Sequence, residues 1–472
     1  MKMIRPLTTT LSALALAACA VGPDYVAPVP PAATSGPFIA ADNAAVSAAS
    51  IDANWWRLYD DPVLNGMVHD ALSANTDIRV AVARIARARA GLKGARANEL
   101  PQTDLGASAT YGRLPSDQRV PGTKREDWTI DTGLSVSYEV DLFGRVRRDV
   151  EAAKGDVGAA QADAEAVRVA VVADTTRAYA DAASTAARLA VARHIVALLD
   201  RSLELTRKRH SAGLATGLDT ARIAALRNQR AADIPTIEAQ RQAALFQLAT
   251  LTGRAPADLP PIAGERTTAL EITQPIPVGN GKDLLARRPD VRAAERRLAA
   301  ATARIGVATA DLYPTISLGG SVGSTGNVLS NIFGAGPLRW LLGPLISWSF
   351  PNQSAARAKI AAAKADTQEA LATFDGTVLT ALQETETALS AYSHDLDRRT
   401  ALKAALDQAG RALQITTAQQ REGAVNSLDL LDAQRTYSDA QAAVADIDAK
   451  IADDQIDLFK ALGGGWQQTG QS

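Results

Sequence analysis

The segment from Ser427 to Arg435 carries the most chemically loaded spacing in the chain. Leu428, Asp432 and Arg435 fall at i, i+4 and i+7, so a helix places an apolar, an acidic and a basic side chain on one face. The first half of the chain holds a matching segment, from Gly213 to Asp219 and onward. There Arg222 stands where Asp432 stands in the second half, and Ala225 stands where Arg435 stands. A guanidinium against a carboxylate makes a charge-assisted bond that can form and release. Carboxylates gathered without such a partner repel one another. An ordinary surface pair between Asp432 and Arg435 is the simpler alternative for the same spacing.

A second reactive position is Cys19, the only cysteine in the chain, so no disulfide can form within it. Lys2 and Arg5, an apolar run from Leu11 to Ala18, and small residues just before the thiol form the pattern of a bacterial lipoprotein signal. Residues 1–18 then read as a removed signal peptide. Cys19 becomes the lipidated N-terminus, carrying N-acyl and S-diacylglycerol chains, each buried methylene contributing about 0.8 kcal/mol of membrane affinity. Ala20, where an Asp would signal inner-membrane retention, favours the outer membrane.

Other chemistry is not indicated. The four histidines, His69, His194, His210 and His394, lie in unrelated segments and pair with no cysteine or carboxylate at metal-ligand spacing. No Gly-x-Ser-x-Gly, Walker or dinucleotide pattern occurs. We expect no catalytic site, no metal and no cofactor beyond the lipid on Cys19. A net charge of −1 gives no basic surface for nucleic acid.

The elements that must position these residues come in two copies. Asn75 to Arg79 opens a helical stretch running to Leu100 and Pro101, and Arg288 to Arg292 opens another running to Tyr313 and Pro314. Each is followed by segments of period two. Leu105, Ala107, Ala109 and Tyr111 alternate with Gly106, Ser108, Thr110 and Gly112; Ile130, Leu134, Val136 and Tyr138 alternate with Asp131, Gly133, Ser135 and Ser137. One apolar and one small polar face is the signature of a barrel strand between lipid and water. Thr315 to Gly323 and Arg339 to Phe350 repeat the pattern, with Trp340 and Trp348 suited to interfacial aromatic belts. Long stretches without proline follow, from about Val146 to His210 and from about Ser354 to Glu422. At 1.5 Å per residue each gives a helix of roughly 95 Å. Gly213 and Gly217 break the first. A second helix follows, from about Leu218 to Leu251, interrupted at Pro235. Gly423 marks the corresponding turn in the second half. A helix from Leu428 to Leu462 then ends at Gly463, Gly464 and Gly465. Helices of this length need coiled-coil partners, and abundant alanine lets backbones approach closely.

The boundaries follow. Residues 19–60 form a lipid-anchored, Pro-rich tether and 61–262 a first repeat, with its strand pair at about 103–139 and its helical hairpin at about 146–252. A linker spans 263–282. The second repeat spans 283–466, with strands at about 315–350 and a hairpin at about 354–462; 467–472 is a tail. The fold class is all-α plus membrane β in an internally duplicated protomer. Two strand pairs cannot close a barrel alone.

An ordered set of motifs carries a resemblance: Cys19 with Gly22 to Tyr25, Arg288 to Asp290, Ala294 and Glu295, Tyr313 and Pro314, and the ending Ala461 to Trp466. In these the chain resembles the NodT/OprM-type lipoproteins of the TolC family, outer-membrane factors of tripartite efflux pumps. The resemblance spans essentially the whole mature chain. It implies a homotrimer whose protomers build a twelve-stranded β-barrel continued by a twelve-helix periplasmic α-barrel. The cell outer membrane is the implied location. A periplasmic membrane-fusion adaptor and an inner-membrane pump of the resistance-nodulation-division class are the implied partners. It further implies a periplasmic gate at Leu428, Asp432 and Arg435, for which Arg222 is our candidate bonding partner. Adaptor docking is implied at the hairpin tips, around Gly213, Gly217, Gly423 and Ser427. Two other readings stay open: a type I protein secretion duct of the same architecture, and a periplasmic coiled-coil structural lipoprotein. The alternating strands argue against the last.

Overall fold

The computed structural model describes residues 20–464 apart from 30, 32, 33, 114, 116, 118–120, 123 and 332–337. The signal segment, Cys19, the end of the glycine run and the tail lie outside the described residues. In chain order the elements are β1 (Val46–Ser47), α1 (Pro62–Ala74), α2 (Thr76–Ala97), β2 (Gln102–Arg113), β3 (Glu126–Glu139), α3 (Arg145–Ser211), α4 (Gly217–Leu251), β4 (Ile276–Pro277), α5 (Gly281–Arg287), α6 (Pro289–Ala310), β5 (Thr315–Gly326), β6 (Leu338–Ser347), α7 (Ser354–Arg421) and α8 (Ser427–Ala461). The duplicated order expected from the sequence is present, and α3 and α7 run for 67 and 68 residues.

Two details differ from the sequence reading. Pro235 lies inside α4, which continues through it. A proline removes one donor, and burial of Ile237, Ala244 and Leu248 along the same helix offsets that loss. Gly217 does not break a helix: it is the first residue of α4. One stretch of α3 is apolar enough by composition to cross a membrane, yet half of it is buried inside the protein. Its alanines 173, 178, 180, 182 and 183 are packed, so its apolar character serves close helix packing.

The described residues gather into two compact units. The first takes residues 84–161 and 293–375 together with the start of the chain. Its sheet is antiparallel in the order β2-β3-β5-β6. The register gives a row Leu105–Leu134–Val322–Trp340 on one face and a row Asp104–Ser135–Ser321–Leu341 on the other. Three strands keep the expected split between an apolar and a small polar face. β6 departs from it: Leu341 and Leu345 share the small-residue face. Leu345 lies over Gly319, where an added Cβ would meet its Cδ1 at 3.0 Å. Pro344 is tolerated because β6 is an edge strand. Below the sheet Asp141 caps α3 by accepting from the Val146 and Arg147 amides at 3.0 and 2.9 Å. Tyr313, of the Tyr-Pro pair, stacks on Phe143 at 4.6 Å. Gly155 admits the close approach of α6, since a Cβ there would fall 2.9 Å from that of Ala300.

The second unit takes residues 29–83, 162–292 and 376 onward. Its core gathers Trp55, Leu64, Tyr179, Leu248, Ile276, Leu284, Leu389, Ile451 and Phe459, with Trp55 stacked on Phe459 at 4.5 Å. A two-stranded parallel pair joins β1 to β4, Val46 opposite Ile276. Asp61 caps α1 through the Val63 and Leu64 amides and also accepts from the Tyr179 hydroxyl and Arg266. Arg288, of the Arg-Pro-Asp motif, is buried. It bonds Asp290, Glu384 and the Ala461 carbonyl, which ties α6 to the end of α8.

Candidate functional site

The two hairpin tips are the same motif built twice. At the first, α3 ends and Gly213 turns into the left-handed region at φ 74°. Its amide reaches the His210 carbonyl at 3.0 Å, and the Leu214 amide reaches Arg209 at 2.8 Å. These bonds satisfy the last free carbonyls of the helix, and glycine alone adopts this φ without strain. Thr216 then caps α4 in a reciprocal box: its hydroxyl oxygen accepts from the Asp219 amide at 3.2 Å, and Asp219 accepts from the Thr216 amide at 3.0 Å. The hydroxyl and the amide of Thr216 together hold the Asp219 carboxyl below its ordinary range.

At the second tip Gly423 takes φ 75°, its amide bonds Gln420 at 3.1 Å, and the Ala424 amide bonds Gln419 at 2.8 Å. Asn426 caps α8 through the Leu428 and Asp429 amides at 2.8 and 3.0 Å. Each cap is worth about 1 kcal/mol. The sequence reading marked Gly213, Gly217, Gly423 and Ser427 as tip residues. It missed the caps at Thr216 and Asn426, whose signal was an Asp three positions further on in both copies.

Immediately past the tips, α4 and α8 border one open cleft of about 560 Å³. Arg222, Leu428, Asp432 and Arg435, all singled out from the sequence, line it together. The opposite stripe of α8, Leu430, Gln434 and Ser438, is buried, and the Gln434 amide bonds the Ser202 hydroxyl of α3. This stripe fixes the rotation of α8, which turns Asp432 and Arg435 into the cleft.

The pairing inside the cleft differs from either expected form. Among the described residues no hydrogen bond or ion pair joins Arg222 to Asp432 within the chain, and none joins Asp432 to Arg435. Arg435 lies 3.9 Å from Asp439, one turn on, and Arg230 of α4 bonds that same carboxylate. Arg230 and Asp439 were not foreseen. The available signal was that Asp439 continues the Asp432–Arg435 face and Arg230 continues the Arg222 face.

At the start of the chain the residues that follow Cys19 are fastened within the first unit. The Val21 amide bonds the Phe143 carbonyl at 3.1 Å, and Asp24 pairs with buried Arg148 at 2.6 Å. The Tyr25 hydroxyl donates to Glu295 at 2.8 Å. Gly22, at φ 96°, lies so close to α6 that a Cβ there would fall 2.5 Å from the Gly306 Cα. In the second unit Glu386 accepts from the Ile39 and Ala40 amides at 2.8 and 2.9 Å, and Phe38 and Ile51 are buried. The segment expected as an extended tether is bound to the body at several points along its length.

A sheet with one lipid-suited face, unpaired at both edges among the described residues, and two long helical hairpins define an outer-membrane channel subunit with the TolC-like fold. The chain belongs to the outer membrane efflux protein family, whose model matches residues 67–254 and 280–464. It is similar to outer membrane protein OprJ of Pseudomonas aeruginosa, 33% identical over 461 residues that cover 97% of this chain and 95% of that protein. It is 30% identical over 472 residues to the antibiotic efflux pump outer membrane protein ArpC of Pseudomonas putida, covering 99% of this chain and 97% of that one. The solved outer-membrane channel OprN superposes with a TM-score of 0.89 at 35% identity, over 95% of this chain and all of that chain (100%). The protein is an efflux channel component of the outer membrane.

Proposed function

We propose that three copies of this chain close one duct, the passive exit of a tripartite efflux pump for small molecules. The observation that carries this reading is the four-stranded sheet, whose outer strands β2 and β6 each have one unpaired edge among the described residues. Closed β-barrels need about eight strands or more to enclose a lumen, and a membrane tolerates no open edge. Three four-stranded sheets give a twelve-stranded barrel, and twelve helices from the paired hairpins wall the continuation. The apolar row Leu105–Leu134–Val322–Trp340 then meets lipid, and the small polar face lines water.

Cys19 carries the lipid, and the fastened residues after it hold that anchor beside the barrel base. A periplasmic adaptor docks on the tips at Gly213, Gly217, Gly423 and Ser427. An inner-membrane pump of the resistance-nodulation-division class supplies the energy. Leu428, Asp432 and Arg435 form the gate, three of each around the axis. Arg222 and Arg435 supply the cations that hold the acidic ring shut, and among the described residues Asp432 has no hydrogen-bond or ion-pair partner to compete for them.

Single-channel conductance in planar bilayers tests the reading. Wild type is expected to conduct weakly, and Arg222→Ala or Arg435→Ala to conduct more. An assembled channel that conducts neither as wild type nor as either variant defeats the duct. Unchanged conductance in both variants defeats the gate.

A further inference from the structure

The small-residue face of the sheet holds one row unlike the others. Gly106, Gly133, Gly323 and Arg339 lie directly opposite one another across all four strands. Three of the four positions carry no side chain. Arg339, at the β6 end, lies back along this bare track instead of standing away from the sheet.

Its Nη2 donates to both carboxylate oxygens of Asp131 on β3, at 2.7 and 2.9 Å. Two strand spacings, about 10 Å, separate β6 from β3. Thr325 of β5 stands between them: it accepts from Arg339 Nε at 3.0 Å and donates to Asp131 at 2.7 Å. At Gly323 a side chain is excluded, since an added Cβ would fall 2.4 Å from the Thr132 carbonyl oxygen, and at Gly133 the guanidinium passes close, 3.8 Å from where a Cβ would stand. A cleft of about 440 Å³ opens over the same row, bordered by Asp104, Ser108, Asp131, Ser135 and Arg339. About half of the Arg339 side chain remains exposed to it.

We infer that Arg339 and Asp131 set the charge preference of the barrel lumen for small ions and charged solutes. The inference rests on the reading above, in which this face lines the water-filled barrel. Paired, the strap is neutral and holds three strands in register. Three straps surround the axis, so a change at either partner is felt three times. Without Arg339, three Asp131 carboxylates join three from Asp104 in facing the lumen. Without the Asp131 charge, three guanidinium groups face the lumen unpaired, and the face loses three negative charges. In a narrow, low-dielectric wall a single-sign ring concentrates counter-ions.

The test is the reversal potential of purified channels in a planar bilayer under a KCl gradient, in the wild-type and Arg435→Ala backgrounds. Arg339→Gln is expected to raise the K⁺ over Cl⁻ permeability ratio, by up to about tenfold at low salt, the lower end of local enrichment in such a cleft. Asp131→Asn is expected to lower the ratio. The pair Arg339→Gln with Asp131→Asn returns it towards wild type. Arg339→Lys keeps the charge without the fork and stays near wild type, which separates charge from structure should Arg339→Gln fold poorly. An unchanged ratio in both single charge-removing variants, in both backgrounds, overturns the assignment. A channel that conducts in neither background strikes instead at the duct reading on which the inference rests.

Discussion

Replacing Arg288 by alanine should loosen the end of α8 more than any other part of the second unit. The side chain is only 9% exposed, and its guanidinium divides among Asp290 at 2.6 Å, Glu384 at 2.8 Å and the Ala461 carbonyl at 2.8 Å. Burial works against its charge, yet the two carboxylates hold its pKa above the ordinary value. The three bonds are not equal. Asp290 and Glu384 are partly open to water and rehydrate once the guanidinium is gone, so each contributes about 1 kcal/mol or less. The Ala461 carbonyl is buried, and among the described residues only the Thr385 hydroxyl, at 3.4 Å, remains to it. A lost charge-assisted bond to a buried acceptor costs about 1.5–3 kcal/mol. The aliphatic stem also packs against Gly463, where an added Cβ would meet its Cγ at 3.1 Å. The sum is about 3 kcal/mol, at the low edge for breaking a fully buried pair. A local opening of that size speeds amide exchange about 100-fold. Hydrogen exchange of the Leu462 and Gly464 amides, which close the helix onto Leu458 and Phe459, reads it directly. Exchange there within about threefold of wild type, with faster exchange spread evenly elsewhere, would show that Arg288 is not the clamp.

Two further outcomes follow from burial and close approach. Burial, with the neighbouring Asp181 adding to it, pushes the Asp453 carboxyl up to about 6. Its folded pKa thus lies above its unfolded one, so its contribution is complete below about pH 4 and is lost as pH rises through about 6. Stability should rise by about 1 kcal/mol between pH 7 and pH 5, and Asp453→Asn should flatten that slope. Gly306→Leu would drive its Cβ to 2.7 Å from the Arg148 Cγ and 2.9 Å from the Val21 carbonyl oxygen. The expected result is release of residues 20–25, seen as faster limited proteolysis there while the tips are cleaved at the wild-type rate.

The long helices were legible because their signal is local: no proline from Val146 to His210, a glycine at each stop, and two copies that agree. Three strands were legible for the same reason, since alternation is a property of neighbours. What escaped was set by partners far along the chain. Composition reads residues 20–50 as a tether, but Asp24 is fixed by Arg148, Tyr25 by Glu295 and the Ile39 amide by Glu386. The second apolar row of β6 depends on the diagonal neighbour Gly319, which leaves room for Leu345. Arg339 reads as a lone charge in a strand until the register aligns three glycines beside it.

The cleft beyond the tips shows why the two copies had to diverge. Placed side by side, Arg222 matches Asp432, Ala225 matches Arg435, Gln229 matches Asp439 and Arg230 matches Ala440. Every charge bordering the cleft thus stands where the copies differ. Identical copies would have brought like charges face to face across α4 and α8, which repel without relief in a confined space. Divergence instead put a cation on one copy opposite an anion on the other, and the Arg230–Asp439 pair is the first product. Leu428 and Leu218, next to the tips, are the same in both copies. The duplication therefore supplies the matching helices, and the positions at which it fails supply every charge that borders the cleft.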